Sequence, residues 1–277
     1  MDILILGNTA REHALAWKFA ESRRTGDIFC TSPYSGVDVL AKRVASRADA
    51  PADALVIPEA GVCLCAWDDP LPDTSFTVDC LTDGDTIIPL PAVQLTCVDG
   101  LPVAAEAPAP DYTADLADYA MQNFFIPHIA VLRASGIVRF TLALENDMPF
   151  LLAVHAGFDE LDAIALLPLL RGELAPLLTA CKNGTLAQES LRLHDLHTAV
   201  AMLGAMEPDA PISGVSQIAS NIGVFFGAVT YREETLYTAG ERALFVCARA
   251  ATAADARREA SIAAKTIAFN GIIRFTW

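Results

Sequence analysis

Short apolar runs alternate with an amphipathic stretch over the first sixty residues. Arg11 to Ser22 has the apolar spacing of a helix. Three apolar runs of strand length flank it, at Asp2 to Leu6, Ile28 to Thr31 and Ala54 to Ile57. Strand, helix and strand joined by short links predict a parallel sheet.

The loops that follow these strands are the first candidates for a binding site. Ligands of open parallel sheets lie at the carboxyl ends of the strands. Those ends are the loops at Gly7, Pro33 and Glu59. The amides between Gly7 and Arg11 also stand at a predicted helix N-terminus, where an anion would be favoured. The alternative for this loop is a tight turn from strand to helix.

The middle of the chain has the pattern of antiparallel pairs and helices. Two strand pairs are predicted, Ser75 to Leu81 with Thr86 to Leu90, and Ile137 to Leu144 with Pro149 to His155. Helices are predicted at Asp115 to Arg133, with a kink at Pro127, and at Glu160 to Leu174. The Pro- and Ala-rich stretch Leu101 to Pro110 is predicted to be a loop, and Cys63 to Trp67 a strand.

The last third of the chain is predicted to be rich in strands. Apolar runs indicate strands at Ala199 to Leu203, Gly223 to Thr230, Leu236 to Thr238 and Ala243 to Ala248. Thr252 and Asp255 have the spacing of a capping box, which predicts a helix from Thr252 through Ala268. Together these patterns predict an α/β protein.

The net charge of the chain limits the kinds of partner that we expect, and its cysteines indicate a cellular compartment. The formal net charge is -15, and no basic run is longer than two arginines, so we expect neither nucleic acid nor a membrane surface as partner. The uncharged stretch Ala210 to Tyr231 is broken by Gly, Pro and Ser and predicts strands rather than a membrane span. Met1-Asp2 does not open a signal peptide. Seven scattered cysteines favour reduced thiols and a cytoplasmic location.

A run of twelve residues from Gly7 to Lys18, GNTAREHALAWK, resembles the opening GNGGREHAL of the phosphoribosylamine–glycine ligases. These are ATP-grasp enzymes of purine biosynthesis. Further similarities follow in the same order: SPYSG at 32–36 to the family's APGNAG loop, and VIPEA at 56–60 to its VGPEA turn. Weaker similarity covers Gly136 to Leu174 and Gly223 to Trp277.

The resemblance implies three domains. Residues 1–62 would form a truncated Rossmann-like N-terminal domain. Residues 63–190 would be a degenerate ATP-grasp core lacking the small ATP-covering subdomain, and residues 191–277 a strand-rich, ligase-like C-terminal domain.

The sequence departs from the family at the positions that bind the family's cofactors, ATP and Mg or Mn. The family grips phosphates with a lysine and a Gly-rich loop, but none of the four lysines here lies in such a loop. The family's magnesium-binding E-F-N falls at Ala153-Val154-His155, and its purine-holding pair of glutamates at Ala66-Trp67. Alanine offers magnesium no ligand, and an imidazole is a poor one. We therefore expect no bound cofactor.

Eight residues remain candidates for binding a ligand, and none is assigned a catalytic role: Gly7, Asn8, Arg11, Glu12, Pro33, Gly36, Glu59 and Arg242. The alternatives are that Arg11 and Glu12 form a solvated helix start, that Glu59 caps a turn, and that Arg242 makes a structural ion pair. His13 is expected to pack rather than to catalyse. Asp159 and Glu160, with His155, are weak metal candidates whose alternative role is to begin a helix.

Two classes of function follow from these observations. One is a non-catalytic relative of the ligase that binds a phosphorylated purine-pathway metabolite or a protein partner, as a homodimer or with a full-length ligase. The alternative is an active phosphoribosylamine–glycine ligase, or a related ATP-grasp ligase of altered chemistry.

Overall fold

The computed structural model describes residues 1–59, 63–65, 71–72 and 75–275, and the fold is mixed α/β. The N-terminal unit is a four-stranded parallel sheet with strand order β3-β2-β1-β4. Its strands are β1 (Ile3–Ile5), β2 (Ile28–Cys30), β3 (Lys42–Arg43) and β4 (Leu55–Ile57). Helix α1 (Ala10–Ala20) buries Ala14, Leu15 and Phe19 in the core. The predicted parallel sheet is confirmed.

A second, antiparallel sheet of eleven strands takes up most of the remaining chain. Its first seven strands are β5 (Cys63–Cys65), β6 (Ser75–Thr82), β7 (Ile87–Pro89), β8 (Val93–Val98), β9 (Leu101–Ala107), β10 (Gly136–Glu145) and β11 (Met148–Ala156). Both predicted middle strand pairs are present, as β6 with β7 and β10 with β11. Of the predicted strand Cys63 to Trp67, residues 66–67 lie outside the described residues.

The C-terminal strands extend this sheet and add a small one. They are β12 (His197–Ala205), β13 (Pro211–Ile212), β14 (Gly223–Phe226), β15 (Val229–Arg232), β16 (Thr235–Thr238), β17 (Arg242–Ala250) and β18 (Ile272–Arg274). The large sheet runs in the order β14-β17-β12-β9-β8-β6-β10-β11-β5, with β18 beside β12 and β7 beside β6, whereas β13, β16 and β15 form the small sheet.

Helices cover the large sheet. They are α2 (Ala114–Ala120), α3 (Ile126–Leu132), α4 (Glu160–Leu166), α5 (Leu174–Asn183) and α6 (Ala253–Thr266). A π-helical segment, Met121–Phe125, joins α2 to α3 just before Pro127, so the predicted helix is present with its irregularity. In the described parts of the chain, no helix is long and apolar enough to cross a membrane.

Three elements differ from the sequence predictions. Leu101 to Pro110 was predicted to be a loop, but it contains β9, which lies between β8 and β12 with five small or acidic residues buried in a row. Helix Glu160 to Leu174 was predicted to be continuous, but α4 ends at Leu166 before Pro168, and α5 starts afresh at Leu174. Gly223 to Thr230 was predicted to be one strand and divides into β14 and β15.

The break between β14 and β15 falls at Gly227. A Cβ atom there would collide with the Arg242 carbonyl oxygen, so only glycine fits.

The predicted domain limit between residues 190 and 191 falls within a continuous sheet. Strand β9, before this limit, pairs with β12, after it, so one sheet continues from the middle of the chain into its last third. The domain limits at 62 and 190 stay predictions.

Candidate functional site

The three loops predicted at the carboxyl ends of β1, β2 and β4 are joined to one another by hydrogen bonds. The Gly7 N–H donates to Thr31 Oγ1 at 3.1 Å, which joins the first two loops. The Arg11 guanidinium donates to the carbonyl oxygens of Leu6, at 3.2 Å, and Pro58, at 2.6 Å, which joins the first and third. The candidates Asn8, Pro33 and Glu59 are exposed on these three loops.

The start of α1 is closed by a capping box. Thr9 Oγ1 accepts a hydrogen bond from the Arg11 N–H at 3.2 Å, and Glu12 Oε2 accepts from the Thr9 N–H at 2.6 Å. Gly7 has a φ of +139°, and a Cβ atom on it would collide with the Glu12 carboxylate. Glycine is therefore required there by the protein's own packing.

Arg11 and Glu12 form a buried ion pair, with 2.7 Å between Arg11 Nη1 and Glu12 Oε1. Their side chains are only 2% and 1% exposed. The predicted alternative of a solvated helix start is wrong, because both groups find their partners inside the protein. Arg11 ties loops together, and Glu12 caps the helix.

Glu160 completes the closure of this loop from the other side. Its Oε1 accepts a hydrogen bond from the Ala10 N–H at 2.8 Å, and its Oε2 accepts from Arg242 Nε at 2.6 Å. Arg242 Nη1 also donates to the Pro102 carbonyl oxygen at 3.0 Å. Burial raises the pKa of Glu160, while Arg242 and the Ala10 N–H oppose that rise. The structure thus brings together two predicted candidates, Glu160 and Arg242, across more than eighty residues.

Four of the five amides of the anion site predicted at the α1 N-terminus are therefore engaged by the protein itself. The N–H groups of Gly7, Thr9, Ala10 and Arg11 each donate to a side-chain oxygen of this chain. Two of the four accepting groups are carboxylates, which the helix dipole favours at this end. A phosphate would have to displace Glu160 to reach the Ala10 amide.

Gly36 and His13 pack against the C-terminal third. A Cβ atom on Gly36 would lie 2.7 Å from Phe226 Cβ and 3.1 Å from His13 Nδ1. His13 Nδ1 accepts a hydrogen bond from the Phe226 N–H at 2.9 Å. Burial lowers the pKa of His13 to about 4, so the ring is neutral near pH 7. His13 is a packing histidine, as predicted.

A second group of buried charges lies on the large sheet around Arg139. In the strand register Arg139 of β10 stands between Asp79 of β6 and His155 of β11. Arg139 Nη1 lies 2.6 Å from an oxygen of Asp159 and 3.3 Å from one of Asp162. The Arg139 side chain is 9% exposed, so this is a buried cation directly opposite His155.

The carboxylates around Arg139 are unequally satisfied. Asp162 accepts hydrogen bonds from Thr77 and Arg139, whereas both oxygens of the fully buried Asp79 accept none from the described residues. Burial, together with the Asp162 charge, raises the pKa of Asp79 well above its usual range, which favours the protonated acid. Burial and the Arg139 charge lower the pKa of His155.

Asp79 and Arg139, the members of this group on β6 and β10, were missed at the level of sequence. The available signal is one charged residue inside each of two apolar strands: Asp79 in Ser75–Thr82 and Arg139 in Gly136–Glu145. A charge in a buried strand requires a partner. The pattern does not tell which residue lies opposite it, because that depends on the strand register.

The weak metal candidates are engaged with arginines. Asp159 is the N-cap of α4, where its carboxylate accepts the Glu160 N–H at 2.7 Å, as the helix-start alternative predicts. Asp159 also pairs with Arg139, and Glu160 pairs with Arg242. Within the described ranges, no three His, Cys, Asp or Glu side chains are grouped so that they could hold a metal ion.

Comparison with known proteins supports the resemblance. Residues 1–65 match the family model "Phosphoribosylglycinamide synthetase, N domain". The chain is 27% identical over 215 residues to the phosphoribosylamine–glycine ligase of Rhizobium meliloti, covering 70% of this chain and 51% of the relative. It is 30% identical over 177 residues to that of Phenylobacterium zucineum, covering 59% and 42%. The chain thus spans about half the length of the curated relatives it matches.

Solved structures show the same fold. The phosphoribosylamine–glycine ligase of Thermotoga maritima superposes with a TM-score of 0.77 over 99% of both chains, at 14% identity. The Kluyveromyces lactis urea carboxylase superposes with a TM-score of 0.57 over 74% of this chain and 19% of its own, also at 14% identity. The predicted resemblance to the phosphoribosylamine–glycine ligase family is confirmed.

Proposed function

We propose that this protein is a non-catalytic relative of the phosphoribosylamine–glycine ligases, with a degenerate ATP-grasp core that lacks the ATP-covering subdomain. Its role would be to bind a partner rather than to join an amine to a carboxylate. The proposal concerns activity, cofactors and partners. It rests on the geometry of two regions: the closed loop at the start of α1 and the buried charges around Arg139. A cytoplasmic location remains a proposal from cysteine usage.

The observation that carries the proposal is the placement of Arg139. By resemblance, the family's magnesium ligands correspond to Ala153 and His155 on β11. Arg139 stands directly opposite His155 on the neighbouring strand, where side chains of opposed residues lie about 5 Å apart. The buried guanidinium occupies the space beside the His155 position, and the carboxylates nearest to it, Asp159 and Asp162, are paired with Arg139 and are not free to bind a divalent cation.

The closed loop at the start of α1 supports the same proposal. Ligation through an acyl phosphate needs triphosphate charge to be neutralised by metal ions and cations. Here the amides that could bind phosphate hold Glu12 and Glu160 instead, and the cation nearest to Glu160 is Arg242, which that carboxylate occupies. Loss of the metal ligands and of the free amides would act together rather than additively.

The direct test is an assay of the purified protein for glycinamide ribonucleotide. Phosphoribosylamine, glycine, ATP and Mg²⁺ are supplied, with an active phosphoribosylamine–glycine ligase as the positive control. We expect no product above the protein-free background. Turnover within about a hundredfold of a typical enzyme rate of about 10 s⁻¹ would overturn the proposal.

A binding measurement separates a slow enzyme from a protein that holds no nucleotide. A ligand raises the melting temperature of the folded state that binds it. We expect millimolar Mg-ATP to leave the melting temperature unchanged, while the control ligase is stabilised. Stabilisation of this protein by Mg-ATP would favour the alternative, an ATP-grasp enzyme of altered chemistry.

One surface groove favours binding to another protein. A groove of about 960 Å³ runs between α2 and the turn that joins β10 to β11. Its walls are apolar, including Leu116, Tyr119 and Met148, and its charged lining residues are all acidic: Asp111, Asp115 and Asp147. We propose that a basic, apolar segment of another protein docks there, because opposite charges at an apolar groove favour such an encounter.

Sedimentation velocity tests this docking with a full-length phosphoribosylamine–glycine ligase from the same cell as the probe. We expect a mixed complex that weakens with salt and is lost in the charge-reversed variant Asp115→Lys/Asp147→Lys, whereas Glu207→Lys, on an exposed turn elsewhere, leaves it intact. Self-association of this chain without the ligase, or a complex indifferent to the reversal, would overturn the docking proposal.

A further inference from the structure

A separate cavity of about 220 Å³ lies beside α1, on the side that faces β14 and β17. It is lined by Trp17, Pro168, Val224, Phe225 and Arg249, among others. None of these residues belongs to the closed loop or to the group around Arg139. The cavity is smaller than the roughly 300–1,000 Å³ of sites for drug-sized ligands, which suits an occupant of about one ring.

Arg249 gives this cavity an uncompensated positive charge. Its Nη1 donates to the Pro168 carbonyl oxygen at 3.3 Å, and no described carboxylate lies within ion-pair distance of it. By contrast, the buried Arg139 and the half-buried Arg242 are both paired with carboxylates. A guanidinium that keeps donors free in a chain of net charge -15 is available to an anion.

The walls of the cavity are aromatic and apolar. The Trp17 and Phe225 rings meet edge to face with centroids 5.9 Å apart, and the His13 and Phe225 rings do so at 5.6 Å. His13 accepts the Phe226 N–H through Nδ1, so its neutral ring carries its own hydrogen on Nε2. The exposed Ser220 and Asn221 stand at the mouth. The lining thus combines one cation, flat apolar walls and a polar entrance.

We propose that this cavity binds a small planar monocarboxylate, with its carboxylate on the Arg249 guanidinium and its ring against Trp17. The forked donors of arginine match the two oxygens of a carboxylate, and aromatic walls match a flat apolar body. The inference goes beyond the proposed function, because it needs neither ATP nor the family's site. It would hold even if the protein proved to be an active ligase.

Benzoate and its neutral counterpart benzamide are the probes, and both are added to the unmodified protein. The chain has three tryptophans, so the Trp17 indole N–H signal is assigned in a proton–nitrogen NMR spectrum with the variant Trp17→Phe. We expect millimolar benzoate to shift that signal and the amide signals of residues 220–224. Benzamide should bind roughly tenfold more weakly, because it lacks the charge.

The matched variants are Arg249→Gln and Arg258→Gln, the second removing an exposed arginine from α6. We expect Arg249→Gln to weaken benzoate roughly tenfold and Arg258→Gln to leave its affinity unchanged. No shift at Trp17 with benzoate, or equal affinity for benzoate and benzamide, would overturn the proposal. The two-probe comparison needs only the unmodified protein, so it decides the matter even if Arg249→Gln does not fold.

Discussion

The start of α1 and the sheet around Arg139 both bury charged groups, but they stabilise them differently. At α1 every carboxylate has partners: Glu12 holds Thr9 and Arg11, and Glu160 holds Ala10 and Arg242. Around Arg139, one guanidinium serves several acids, and Asp79 has no hydrogen-bond partner among the described residues. The first region pairs its charges, whereas in the second the raised pKa of Asp79 favours the neutral acid.

The difference gives the two regions opposite responses to pH. His13, a buried residue of α1, has a pKa lowered by burial to about 4, so the folded state loses stability as the pH falls from 6.5 towards 4. Asp79 has a raised pKa, so its contribution is present at low pH and is lost as the pH rises through the folded-state pKa. Acid should therefore weaken the α1 region first, and alkali the Arg139 region.

The largest expected effect comes from Arg139→Met. The variant leaves the buried Asp162 without its cation, so we expect the free energy of unfolding to fall by about 3–5 kcal/mol in urea titrations at pH 7. The control Arg258→Met, which breaks an exposed pair, should change it by less than about 0.5 kcal/mol. A small loss in Arg139→Met would mean that the acids hold no charge for it to balance.

The next largest effect is the acid response of His13. The unfolded pKa of 6.5 and the folded pKa of about 4 predict a loss of roughly 3 kcal/mol between those pH values, at about 1.4 kcal/mol per unit. His13→Asn keeps an acceptor for the Phe226 N–H and should abolish this part of the loss. The exposed His194→Asn is the control. Parallel pH profiles of the wild type and His13→Asn would contradict the assignment.

Glu160→Gln tests whether the α1 loop is held closed by charge. The amide oxygen can still accept the Ala10 N–H, but the attraction to Arg242 is lost, so we expect about 2 kcal/mol less stability. The variant should also be stabilised by millimolar inorganic phosphate, since the competing carboxylate is gone. Exposed Glu207→Gln should show neither effect. Stabilisation of the wild type by phosphate would show instead that the loop is open.

The smallest expected effect has the opposite sign. Asp79→Asn removes a group that must be protonated to stay buried, so we expect about 1 kcal/mol more stability at pH 8 and a smaller gain at pH 5. Denaturant titrations at both pH values measure it, with the exposed Asp118→Asn as the control. A loss of stability in Asp79→Asn would mean that the ionised carboxylate is the form that Arg139 holds.

Local patterns were enough to predict much of the fold. The apolar runs of the N-terminal unit, the strand pairs around Asn146 and Gly84, and the capped α6 all depend on neighbours in sequence. The N-cap at Thr252 is an example: its hydroxyl accepts the Asp255 N–H at 3.1 Å. Signals of this kind lie within a few residues of one another.

Tertiary context decided the parts that the patterns missed. Strand β9 is rich in alanine and begins next to Pro102, which disfavours a strand, yet it is buried between β8 and β12. Its small side chains leave room for α4, which packs against it. No sequence pattern near β9 predicts its contact with α4.

In the candidate site too, local patterns predict some features and tertiary context decides the others. The placement of the three N-terminal loops at one edge follows from the parallel sheet, which the sequence predicts, together with its strand order, which the structure supplies. The filling of that site by Glu160, 150 positions away from Ala10, and the row Asp79, Arg139 and His155 across three strands require the completed sheet. Binding roles for the eight candidates remain predictions.

The continuity of the large sheet through β9 and β12 limits where the chain can be divided into separately expressed fragments. A fragment that stops at residue 190 would lose β12, β14, β17 and β18, and β9 would become an uncovered border with unpaired backbone groups. Such a fragment would tend to aggregate, and so would the complementary piece beginning with β12. Attempts to express the halves separately should therefore use co-expression, which lets each half supply the missing border of the other.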